Sequence, residues 1–167
     1  DASRFSVIPP GVNRRIFNPE AKSEDEIIQD RIQLAIVRDI DRHRADKPIV
    51  FASSRLDPKK NHIGLVQAFA VSNELKEHAN LAIAVRGVEN PLKDYASMSE
   101  EEQVILKQIL AIMDESDLHG KVTGVALNSQ QELAAAYRVL SRKNSIFALT
   151  ALYEPFGLAP LEAMSCG

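Results

Sequence analysis

Residues 153–162 read YEPFGLAPLE, with a carboxylate at each end, Glu154 and Glu162, and a Pro, a Gly and a second Pro between them. Pro160 is tolerated in a helix only in the first turn, where its missing N–H costs nothing. A helix is therefore expected to begin near Gly157. That leaves the amides around Phe156, Gly157 and Leu158 unpaired at its tip, with the positive end of the helix dipole behind them. Gly157 lets a ligand approach the backbone closely. Glu154 precedes the turn, and Glu162 lies about five residues into the helix, roughly 7–8 Å along it. The order is carboxylate, amide nest, carboxylate. A nucleotide sugar offers sugar hydroxyls, a diphosphate and ribose hydroxyls in the same order; carboxylates accept from hydroxyls, and helix tips bind phosphates. Two other readings fit the spacing. Glu154 can be a favourable charge at a helix start with Glu162 facing solvent, or the pair can be the acid and base of a glycosidase, roughly 5–10 Å apart.

A second group lies in SSRLDPKKN (53–61), between an apolar run and a helical pattern. Arg55 and Lys60 combine an arginine fork and a lysine point charge beside a helix N-terminus, which suits a diphosphate; they also fit a solvated charged loop. In ALNSQQEL (126–133), Asn128 and Ser129 stand where a helix should start. They are expected to cap it, and with Gln130 they could frame a nucleobase. RGVENPLKDY (86–95) is either a connector or part of the same cleft. No GxxxxGK[ST] or GxGxxG occurs. His43, His62, His78 and His119 are scattered without metal-ligand spacing; only His62 adjoins the Lys60 loop and could touch a ligand. Cys166 reads as a small core residue.

These residues need a scaffold. The alternation of apolar runs and amphipathic segments predicts strands at 47–54, 80–87, 120–127 and 144–151, and helices at 61–75, 99–118, 129–143 and 157–166. A short strand at 5–13 and a helix at 23–44 precede them, the helix built on Ile28, Ile32, Ile36 and Ile40. Ser23/Glu26, Ser99/Glu102 and Ser129/Glu132 are capping-box patterns. Continuous apolar strands indicate an α/β fold, a parallel sheet covered on both faces. In such sheets ligands bind beyond the strands' carboxyl ends, which here means 52–61, 87–95, 127–130 and 151–158. With 167 residues, 45% hydrophobic and 26% charged, the chain can bury a core. A net charge of −3 offers no basic stripe for nucleic acid. No run is long and apolar enough for a membrane span, and no signal peptide is visible. A cytoplasmic location is expected.

The sequence resembles the retaining GT-B glycosyltransferases of family four, in particular their sucrose-phosphate synthase and mannosylfructose-phosphate synthase branch. The signs are VIPPGVN (7–13), SSRLDPKKN (53–61), VRGVENP (85–91), LNSQQELA (127–134) and FALTALYEPFGLAPLEAMSCG (147–167), the last carrying the E-x7-E pattern from Glu154 to Glu162. The resemblance implies a Rossmann-like donor-binding domain, one half of a two-domain enzyme. Residues 1–46 would be hinge strand, connector and helix, and 47–167 the nucleotide-sugar domain, incomplete at its C-terminus. It implies hexose transfer with retention from UDP-glucose or GDP-mannose to a sugar phosphate, fructose 6-phosphate being expected, with no obligatory metal or other cofactor. Arg55 and Lys60 would neutralise the diphosphate, Glu154 would contact sugar hydroxyls, and the amides of Phe156, Gly157 and Leu158 would lie near sugar and phosphates. Glu162 would bind the ribose; Asn128 and Ser129 would frame the base. Arg55, Lys60 and Glu154 are the expected catalytic residues. The acceptor would sit on an N-terminal domain absent from this chain, so the isolated chain is expected to be inactive. The alternatives are a non-catalytic nucleotide-sugar-binding module and a glycoside hydrolase.

Overall fold

The computed structural model describes residues 10–167 of the protein. Among the described residues the apolar runs form four parallel strands: β1 (Ile49–Ser53), β2 (Asn80–Val85), β3 (Val122–Ala126) and β4 (Ile146–Phe147). Their order across the sheet is β3-β2-β1-β4. Alternate residues of β1 enter different cores, Ile49 and Phe51 one, Val50 and Ala52 the other. Both faces are thus covered, and that is why the strand is apolar throughout rather than alternating.

Helices α1 (Glu24–Asp39) and α5 (Gln130–Ser141) cover one face; α2 (His62–Val71) and α4 (Glu100–Glu115) cover the other. A short α3 (Asn73–His78) follows α2, and α6 (Leu158–Ser165) ends the chain. Ile28, Ile32 and Ile36 of α1 pack in the same core as Phe51, Val125 and Tyr137. The first helix is therefore part of the sheet's own core. A buried ion pair reinforces it: Arg138 of α5 donates through Nε and Nη2 to Asp25 at 2.9 and 2.6 Å and through Nη1 to the Asn18 carbonyl at 3.3 Å. Cys166 is buried in this core, as expected of a small residue near the end of an apolar helix.

Several elements depart from the expected bounds. Helix 23–44 ends at Asp39, because Ile40 turns extended and bridges Gly120, whose carbonyl accepts from the Asp41 amide at 2.9 Å. The segment 61–75 is two helices, broken at Ser72, whose hydroxyl accepts from the Leu75 amide and caps a new start. The strand expected over 144–151 pairs only at Ile146 and Phe147; Ala148 still donates to Phe51, after which the chain bonds to a loop instead. Of the three capping boxes, Ser99/Glu102 is complete. Ser129 caps α5, but Glu132 turns to the Asn128 amide. Ser23 is itself helical and caps nothing. Of the strand expected at 5–13, residues 5–9 lie outside the described residues, and 10–13 take no regular structure.

Candidate functional site

In the order β3-β2-β1-β4 the direction of strand succession reverses between β1 and β4. This is the switch point at which open parallel sheets leave a crevice, since the following loops diverge to opposite faces. The loops after β1 and β4 carry Arg55 and Lys60, and Glu154 and Gly157, respectively.

The two loops are tied together. Leu152 donates its amide to the Lys59 carbonyl at 2.8 Å, and the Thr150 hydroxyl reaches the carbonyls of Lys60 and Asn61, each at 3.3 Å. The β1 loop is shaped by its own side chains. Asp57 accepts from the Lys59 amide, and Asn61, at φ 55°, caps α2 by accepting from Gly64. His62 is directed into the protein, not toward a ligand: it is buried, with Nε2 2.9 Å from the Ser54 hydroxyl and Nδ1 unpartnered. Burial lowers its proton affinity, against the pull of the Ser54 and Arg55 backbone, and the nearby Lys60 charge lowers it further. A neutral ring supporting the loop is the result. Its sequence position next to Lys60 suggested ligand contact; the inward turn of the first α2 residue is what redirects it.

Across the crevice, α6 starts at Leu158 with Gly157 as its N-cap at φ 65°. A β-carbon there would meet nothing within 4 Å. Glycine is favoured by the left-handed backbone rather than by crowding, and the space where its side chain would stand is open among the described residues. Lys60 Nζ donates to Glu154 Oε2 at 3.1 Å, and Glu154 Oε1 accepts from the Gly157 amide at 3.4 Å. The Lys60 hydrogen bond, outweighing some desolvation, holds the Glu154 carboxyl below the usual glutamate range; the lysine charge and the Gly157 and Phe156 amides add to this. Burial pushes the Glu162 carboxyl up, and its charge, second to burial, helps raise the Tyr137 phenol.

Lys60, Glu154 and Gly157 thus meet at one point. Arg55 is not brought to that point: it is exposed and lines a hollow of about 240 Å³ at the carboxyl ends of β1, β2 and β3, with Ser54, Val85, Arg86 and Leu127, and the lining of that hollow includes none of the three. Arg86 was not singled out by sequence reasoning, although it stands immediately after β2 much as Arg55 stands after β1. Asn128 accepts from the Gly87 amide at 2.9 Å, tying the loop after β3 to the one after β2, and Ser129 caps α5. Its neighbour Glu132 is held by Arg31 at 2.7 Å. Burial raises the Glu132 carboxyl, but the Arg31 hydrogen bond, the Asn128 amide and the Arg31 charge together bring it below its ordinary value. Phe156 is exposed, Leu158 is half-buried as the first residue of α6, and Glu162 is half-buried on that helix. Among the described residues no group of three or more His, Cys, Asp or Glu could hold a metal ion, and no helix is long and apolar enough to cross a membrane.

A parallel α/β sheet of this order is the Rossmann-like architecture of GT-B glycosyltransferase domains. Solved structures agree: HepE of Anabaena in complex with UDP and glucose superposes with a TM-score of 0.66 at 20% identity, over 99% of this chain and 37% of that one. The catalytic domain of starch synthase IV from Arabidopsis thaliana, bound to ADP and acarbose, gives 0.55 at 16% identity, over 93% and 30%. Residues 35–167 match the family described as Glycosyl transferases group 1. The chain belongs to that family. It is 34% identical over 175 aligned residues to a probable sucrose-phosphate synthase 2 of Craterostigma plantagineum, covering 98% of this chain and 16% of that protein. It is 32% identical to a sucrose synthase of Nitrosomonas europaea, covering 98% and 21%. The chain therefore spans about a sixth to a fifth of the length of these relatives.

Proposed function

We propose that this chain is the donor-binding part of a retaining hexosyltransferase. It takes a nucleoside-diphosphate hexose, UDP-glucose or GDP-mannose, whose sugar passes to a sugar phosphate such as fructose 6-phosphate held by a facing domain. Residues 47–167 bind the donor and residues 1–46 lead in from the hinge. The observation that carries the reading is the meeting of Lys60, Glu154 and the tip of α6 at the sheet's switch point. Departure of the diphosphate builds charge on its oxygens. Lys60 and the helix tip stabilise that charge from positions already set by their contacts with Glu154, and the exposed Arg55 supplies a second cation, so an obligatory metal is not needed for this part of the work. Glu154 then faces the sugar hydroxyls, Glu162 the ribose, and the loop holding Asn128 and Ser129 the base.

One observation favours a second reading. Glu154 is shifted down and Glu162 up, the divergence expected of a base and an acid in a glycosidase. The ion pair to Lys60 weighs against it, because a carboxylate committed to a lysine and a helix tip is better placed to orient than to attack. Calorimetric titration of the chain with UDP, GDP and ADP separates the two, alongside an assay of simple aryl glycosides. The transferase reading expects saturable binding of one nucleotide and no glycoside hydrolysis; glycoside turnover without nucleotide binding would overturn it.

A further inference from the structure

The carboxylate of Glu154 occupies the position of an anion. It accepts from an ammonium, Lys60 Nζ, at 3.1 Å and from a helix-tip amide, Gly157 N, at 3.4 Å. Those are the donors a phosphate oxygen would use at the same place, a cation and an N-terminal amide of an eight-residue helix. We infer that Glu154 is an internal competitor of the diphosphate and thereby a specificity determinant, favouring nucleoside diphosphates that carry a sugar over those that do not. The inference rests on the proposed donor site.

A diphosphate entering the crevice either takes Lys60 and the Gly157 amide from Glu154 or lies against a carboxylate of like charge, and both cost free energy. A hexose on the diphosphate offsets that cost, because its hydroxyls donate to the displaced carboxylate. A bare nucleoside diphosphate has no such donors and leaves Glu154 unpaired beside it. The same balance acts after sugar transfer: as the hydroxyls leave with the product, Glu154 regains Lys60 and Gly157 and disfavours the retained diphosphate. The pairing is partly solvent-accessible, with side-chain exposures of 26% for Lys60 and 22% for Glu154, so the exchange needs no unfolding of either loop. The three hydrogen bonds from Leu152 and Thr150 to the β1 loop hold the two donors in register while the carboxylate moves.

The test is Glu154→Gln, which keeps shape and removes charge. Titrate wild type and variant with UDP, GDP and ADP, with their glucose or mannose derivatives, and with inorganic pyrophosphate. The inference expects the variant to bind the bare diphosphate and pyrophosphate roughly fivefold or more tighter, the gap between a charge-assisted and a neutral hydrogen bond. It expects the sugar-bearing donor to gain nothing, so that the preference for the donor over the bare diphosphate narrows. If the variant binds the bare diphosphate no better than wild type, the competition is refuted while the donor site stands. If neither protein binds any of the nucleotides, the donor site itself falls and the competition with it.

Discussion

Replacing Lys60 by Ala tests the site through a difference between two cations. A charge-assisted hydrogen bond to phosphate is worth about 1.5–3 kcal/mol. The two cations do not start from the same state. Lys60 already holds Glu154 at 3.1 Å, so binding a diphosphate exchanges one charged partner for another. Arg55 is exposed and its side chain has no hydrogen-bond or ion-pair partner to give up among the described residues. Lys60→Ala should therefore fall at the lower end, weakening nucleotide binding roughly tenfold, while Arg55→Ala should approach the upper end, roughly a hundredfold. Stability should change little in either variant, since the Lys60–Glu154 pair is a partly solvent-accessible ion pair and Arg55 is exposed. Isothermal calorimetry with UDP, GDP and ADP reads the first effect and urea denaturation the second. Nucleotide affinity equal to wild type in both variants would refute the diphosphate assignment. A loss at Lys60 exceeding that at Arg55 would refute the exchange argument.

Asp25→Asn should destabilise the fold by roughly 3–5 kcal/mol, because it strands a buried guanidinium, Arg138, without its counter-charge; denaturant unfolding measures it. Burial raises the Asp25 carboxyl, but the hydrogen bond and charge of Arg138, with Arg142 and the Lys22 backbone, bring it below its ordinary value of 3.8. The pair's contribution is thus present above that value and is lost as pH falls through the lower folded one, so the gap between variant and wild type should close in acid. Glu162→Gln should act in the opposite sense. Burial raises that carboxyl above 4.5, so wild type loses stability as pH rises through the folded value. Thermal unfolding should show the variant more stable at neutral pH and equal to wild type below 4.5. A variant less stable at neutral pH would mean that Glu162 has a structural partner.

The parallel fold could be read from the chain because its signals are local. An apolar run such as IVFA between capping or turn residues is a buried strand whatever lies beside it, and Ser99 with Glu102 starts a helix within one turn. Pro160 and Gly157 likewise set the start of α6. The errors fall where a distant group decides: Gly120 ends α1, and the carbonyls of Lys59 and Lys60 draw the chain out of β4. His62 looked available for a ligand because a sequence cannot say which way the first residue of a helix turns.

Sequence alone determined the chemistry at hand: two cations after one strand, a glutamate and an open helix tip after another, and a second glutamate further along that helix. These are covalent facts, and their types and spacing limit what can be bound. Only the tertiary structure decided which of them meet. Strand order puts the loops after β1 and β4 side by side across 94 residues of chain, so Lys60 reaches Glu154, while Arg55 lines a separate hollow with Arg86. Strand order is set by burying both faces of a sheet beneath helices, a property of the whole core that no single motif carries.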